Sequence, residues 1–95
     1  MMSDTPRLML TIYRRPGCHL CDDAELLLRD ELAQRARAGL PPIEVEHADI
    51  SADPELEARF RRRIPVFAIG EVESELVTSG RQVREFLERA ISDPS

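Results

Sequence analysis

Cys18 and Cys21 are the only cysteines among 95 residues, and two residues separate them in Arg14-Arg15-Pro16-Gly17-Cys18-His19-Leu20-Cys21. Two thiols at this spacing close a small disulfide ring, the working unit of thiol–disulfide exchange. The pair lies between a short apolar run and a helical pattern, with Pro16-Gly17 as the break. A cysteine at a helix N-terminus faces unpaired backbone N–H groups and the positive end of the helix dipole. Both favour thiolate over thiol. Cys18 is therefore the expected nucleophile, and Cys21, one turn on, the resolving thiol. Nearby charges pull in opposite directions, since Arg14 and Arg15 favour a thiolate while Asp22 and Asp23 oppose one.

Other chemistries fit the same residues less well. Structural zinc prefers four protein ligands, whereas the chain offers two cysteines and two histidines. His19 stands between the cysteines, as a tuning group or a solvated one, and His47 reads as an ordinary strand residue. The haem-attachment pattern needs histidine after the second cysteine, where this chain has Asp22. No metal site is expected.

The elements around the pair follow from hydrophobic patterning. Leu8 to Tyr13 is a short apolar run that reads as a buried strand. From His19 to about Arg37, Leu20, Ala24, Leu28 and Leu32 recur every four residues, giving a helix with one apolar face. Gly39-Leu40-Pro41-Pro42 stops it. Ile43 to Ile50 begins in strand-like alternation. Ser51 or Asp53 caps a short helix that has Pro54 at its first position and runs to about Phe60. Ile64–Ile69 is a third strand, Gly70-Glu71 a tight turn, and Val72–Val77 a fourth strand. Ser79-Gly80 opens a last helix with Val83, Phe86, Leu87, Ala90 and Ile91 on one face. The order β-α-β-α-β-β-α predicts an α/β fold: a right-handed parallel crossover, then a hairpin. The expected four-stranded mixed sheet runs in the order two-one-three-four, with helices one and three on one face and helix two on the other.

Composition sets the class. The chain is short enough for one domain over residues 1–95, and its 42% hydrophobic and 33% charged residues are ordinary for a soluble protein. A formal net charge of −5 argues against nucleic-acid binding. No apolar run approaches the roughly 20 residues that span a bilayer. Residues 1–7 lack the basic-then-apolar layout of a signal peptide, so the expectation is a cytoplasmic monomer with a frayed tail over residues 92–95.

A Cys-x-x-Cys between strand one and helix one, in this element order and size, resembles the thioredoxin superfamily and its glutaredoxin branch. Two further landmarks agree. Ile64-Pro65-Val66 stands where the superfamily carries a cis-proline facing the cysteines, and Gly70-Glu71 with Ser79-Gly80 resembles glutaredoxin's glycine pair region. The stretch Arg-Pro-Gly-Cys-His-Leu-Cys is similar to small bacterial glutaredoxin-like proteins. The likeness covers about residues 8 to 91. It implies a thioredoxin-like fold and a thiol–disulfide oxidoreductase in which Cys18 attacks, Cys21 resolves, and Pro65 with the backbone of Ile64 shapes the substrate groove. Its substrates would be protein disulfides or glutathione mixed disulfides. No cofactor would be tightly bound, and glutathione is a candidate reductant.

The departures concern glutathione. His19-Leu20 replaces the usual Pro-Tyr, and Gln82 stands where many glutaredoxins have an aspartate for the ligand's amino group. Asp22 and Asp23 would also repel an anionic ligand. Favouring glutathione are Arg15, the arginines before Ile64, Ile64 itself in the groove, and the Ser79-Gly80 helix start, whose N–H groups suit a carboxylate. Arg59, Arg61, Arg62 and Arg63 form a dense basic run that is either a solvated surface or a carboxylate-binding one. Two alternatives from other classes stay open: an iron–sulfur or metal carrier that pairs Cys18 with a second chain, and a redox-inert module that binds peptides along the Ile64 groove.

Overall fold

The computed structural model describes residues 8–91. The readings of residues 1–7 and of the 92–95 tail therefore lie outside the described residues. β1 (Leu8–Arg14) leads to α1 (His19–Arg37), then β2 (Ile43–Asp49), a 3-10 turn (Ile50–Ala52) and α2 (Pro54–Phe60). β3 (Val66–Ile69), β4 (Val72–Ser74) and α3 (Gly80–Ile91) follow. The sheet order is β2-β1-β3-β4, with β1 parallel to β2 and antiparallel to β3, and β3 antiparallel to β4. This is the expected thioredoxin-like topology.

Strand alternation divides the interior in two. Leu10 and Ile12 of β1 and Phe67 and Ile69 of β3 face α1 and α3, where Ala24, Leu28, Val83, Phe86 and Leu87 complete the main core. Val66 faces the other way with Tyr13 and meets Ile50, Phe60, Leu56 and Ile64 in a smaller cluster under α2. Tyr13 stacks on Phe60 with ring centroids 4.5 Å apart. α2 is short and begins as its sequence dictates. Asp53 Oδ1 accepts from the Glu55 N–H at 2.9 Å, and proline fills the first turn.

Three elements differ from their sequence reading. β3 starts at Val66 rather than Ile64, because Pro65 has no N–H to give a ladder. β4 ends at Ser74 rather than Val77. Beyond it Leu76 has φ +51°, and its N–H donates to Arg63 O at 2.9 Å, so the chain bends away from β3. The buried stripe of α1 runs through Cys21, Ala24, Leu28 and Glu31, whereas Leu20 is exposed.

Glu31 is the one buried charge among the described residues, and Arg84 of α3 donates to it at 2.7 Å. Its side chain is 7% exposed and that of Arg84 54%. A buried carboxylate deprived of its partner keeps its desolvation cost. Arg84→Ala should therefore destabilise the protein by about 1–2 kcal/mol, the half-exposed arginine lowering the figure for a fully buried pair. Replacing both residues by methionine should cost less than the single change. Urea midpoints decide this, and a single variant as stable as wild type would mean that the pair carries no weight.

Candidate active site

Pro16-Gly17 reverses the chain between β1 and α1. Gly17 has φ +81°, which the absence of a Cβ makes inexpensive, and the Cys18 N–H closes the turn on Arg15 O at 3.3 Å. Cys18 then sits at the N-cap of α1, with φ −88° and ψ 107°. Its Sγ accepts from the Cys21 N–H at 3.1 Å, in the manner of a capping oxygen. The sulfur thus takes up one of the orphan donors at the positive end of a 19-residue helix. Cys18 and Cys21 are joined as a disulfide, with Cα atoms 5.2 Å apart. Cys18 is half-buried and Cys21 has no exposure, so an incoming sulfur can reach the first and not the second.

The Ile64–Pro65 bond is cis. Val66 pairs with Tyr13, so this step lies at the end of the sheet from which the cysteine loop departs. The β4–α3 loop is laced to it, with Val77 N–H donating to Pro65 O at 3.2 Å. The groove role that the resemblance implies for the Ile64 backbone needs correction, since that reading takes the backbone to be free to pair with a substrate. The Ile64 N–H donates to Phe60 O at 3.2 Å, closing the turn after α2, so only the carbonyl is left for such a role.

The Ser79-Gly80 helix start is also partly spent within the chain. Ser79 Oγ accepts from the Gln82 N–H at 3.1 Å, as an N-cap hydroxyl does, and donates to Gln82 Oε1 at 3.3 Å. Gln82 Oε1 also accepts from the Thr78 N–H at 2.7 Å, and its amide donates to Leu76 O at 3.3 Å. The capping hydroxyl and the Gln82 amide are therefore engaged. Gly80 and Arg81 carry the remaining first-turn N–H groups that could meet an anion.

Arg14, Arg15 and Asp22, beside the disulfide, are paired. Arg14 donates to Asp22 at 2.7 Å and to Glu25, and Arg15 donates to Glu57. The bond to Asp22, then Glu25, hold the Arg14 guanidinium above its ordinary pKa against a loss from burial. His47 Nε2 lies 3.1 Å from Glu25 Oε1. This gives His47 a partner that its reading as an ordinary strand residue did not include. Asp49 accepts from the Ser51 hydroxyl at 2.6 Å and the Ser51 N–H at 2.9 Å. Those bonds, with Arg15 and Arg14 nearby, keep its carboxyl below the usual range. An open pocket of about 380 Å³ runs between Arg14, Arg15, Pro16, Glu25, His47 and Asp49. In the basic run, Arg59 donates to Glu73 at 2.9 Å and Arg63 to Glu75 at 3.1 Å.

Comparison with known proteins places these features in a family context. The family model described as Glutaredoxin-like domain (DUF836) matches residues 9–92. Among solved structures, the X-ray structure of target protein XcR50 from X. campestris is 32% identical, with a TM-score of 0.66. The match covers 85% of this chain and 97% of that one. The solution NMR structure of protein Ne2328 from Nitrosomonas europaea shares the fold at 21% identity and a TM-score of 0.65, over 90% of this chain and 98% of that one. Among curated proteins none matches. No helix among the described residues is long and apolar enough to cross a membrane.

Proposed function

Since the chain belongs to the glutaredoxin-like domain (DUF836) family, we propose that it is a thiol–disulfide oxidoreductase that reduces protein or low-molecular-weight disulfides. One observation carries the reading: a half-buried Cys18 whose sulfur caps α1 is bonded to a fully buried Cys21. In the reduced protein the Cys18 thiolate attacks one sulfur of the substrate disulfide. An S–S bond forms to Cys18, and the other substrate sulfur leaves with the electron pair and takes a proton. Cys21 then attacks Cys18 Sγ, which releases the second substrate thiol and leaves the Cys18–Cys21 disulfide. Two electrons pass to the substrate, and an external dithiol or two thiols restore them. Pro65 and the Ile64 carbonyl form the edge on which an extended substrate lies. The reading implies a reducing compartment such as the cytoplasm.

Glutathione is the proposed reductant, and a poor one. Gln82 is committed to the 76–79 loop where an acid would hold the ligand's amino group, and Arg15 is already paired with Glu57. Loss of one charge-assisted contact costs roughly 1.5–3 kcal/mol, about ten- to a hundredfold in affinity. Coupled assays with glutathione and glutathione reductase should give detectable but low turnover, and Arg15→Ala should lower it. Turnover equal to that of a dithiol glutaredoxin would contradict the weight given to Gln82. No glutathione turnover but ready reduction by thioredoxin reductase would move the electron source to that enzyme. Cysteines that do not cycle between dithiol and disulfide would end the oxidoreductase reading.

A further inference from the structure

Cys21 must lose a proton when it resolves a mixed disulfide, yet it has no exposure and cannot hand that proton to bulk water. A carboxylate stands one helical turn further along. Glu25 is at i+4 from Cys21, a spacing that sets Cβ atoms roughly 5–6 Å apart on one face, and side chains on a helix lean toward its N-terminus. Glu25 is held from two strands at once, by Arg14 of β1 and by His47 Nε2 at 3.1 Å on β2. Its side chain is 25% exposed and that of His47 52%, and both line the 380 Å³ pocket that opens beside Pro16. Buried thiol, half-buried carboxylate and half-exposed imidazole thus follow one another in order of rising exposure, the last two beside the open pocket.

We propose that Glu25 is the proton acceptor for Cys21 during resolution, with His47 and the pocket as the exit to water. This rests on the oxidoreductase reading above. As the Cys21 sulfur bonds to Cys18 Sγ, the bond from Cys18 to the substrate sulfur breaks and its electron pair leaves with that sulfur. The Cys21 proton passes to the Glu25 carboxylate, then through His47 or pocket water to the medium or the departing thiolate. When a reductant opens the Cys18–Cys21 disulfide, protonated Glu25 returns the proton to the Cys21 thiolate.

The charged groups facing Glu25 are few. They are Arg14 on β1, Arg15 in the turn, His47 and Asp49 on β2, and Asp22 and Arg29 on α1 itself. From α3, Arg84 meets α1 at Glu31 instead.

The two thiol steps can be timed separately by mixing reduced protein with a symmetric aromatic disulfide whose thiol is coloured. One thiol is released when Cys18 attacks and a second when Cys21 resolves. Glu25→Gln keeps the shape and one acceptor oxygen, turns the other acceptor into a donor, and removes the charge and the base. It should slow the second release about 100-fold at neutral pH, the lower range for a positioned general base, and spare the first. The deficit should shrink as pH rises and Cys21 ionises unaided. Glu25→Asp should recover part of the rate. A second release in Glu25→Gln with the wild-type rate and pH profile would overturn the proposal. So would equal slowing of both releases with no recovery in Glu25→Asp, the pattern of a structural strut. Failure of the wild-type protein itself to give a second release would instead sink the oxidoreductase reading.

Discussion

Cys18→Ser should reduce disulfide reductase activity to background, while Cys21→Ser should keep the first chemical step and accumulate mixed disulfides with its partners. The difference follows from position. Cys18 Sγ is half-buried and capped by the Cys21 N–H, whereas Cys21 has no exposure and can reach only a sulfur already held at Cys18. Serine is among the best N-cap residues, so Cys18→Ser should keep α1 intact and the loss should be chemical rather than structural. Affinity capture of each variant from its source cells, followed by non-reducing mass spectrometry, reads the outcome. Equal trapping by the two variants would mean that the order of attack is reversed or shared.

Phe67→Ala should cost about 3–5 kcal/mol, the usual range for emptying a buried phenylalanine site. Phe67 lies in β3 between β1 and β4, pairs with Ile12 and Ser74, and has no exposure. Its ring meets Phe86 of α3 edge-on, with centroids 6.1 Å apart and planes at 72°. One side chain thus joins the central strand to the last helix. Domains of this kind hold about 5–15 kcal/mol in total, so the loss is a large share of the margin. Met9 is 41% exposed, and Met9→Ala should change stability by only a few tenths of a kcal/mol. Denaturant titrations compare the two, and a Phe67 variant within about 1 kcal/mol of wild type would show that the site repacks freely.

Much of the fold was legible because each segment's pattern agrees with its place. Alternation at Ile43 and Val45, helical spacing at Ala24 and Leu28, and the breaks at Pro16-Gly17 and Gly70-Glu71 all lead to the observed order. The cysteine positions were equally legible, since a motif at a strand–helix junction carries its own geometry. What escaped depends on partners far along the chain. Glu31 looks like a solvent residue until Arg84 arrives from 53 positions away. Leu20 continues an apolar spacing, but it lies in the first turn, beside the reactive loop, and stays exposed. The end of β4 turns on the left-handed backbone of Leu76, a conformation that leucine does not advertise. Two local signals were present and unused. Ser79 and Gln82 have capping-box spacing. His47 continues the inward phase of Ile43 and Val45, which the pairing of Ile12 with His47 carries toward α1.

The unequal sizes of the two cores have a mechanical consequence. The disulfide is carried by α1, which is anchored in the large cluster shared with α3, while the segment leading into Pro65 rests on the small cluster of Ile50, Phe60 and Val66 under a seven-residue helix. Local opening costs least where the fewest apolar contacts must be broken. The α2 layer can therefore yield without disturbing the other face of the sheet. On the proposed function, a substrate would meet a stiff jaw that holds the sulfurs in register and a compliant one that adapts to the chain beside them.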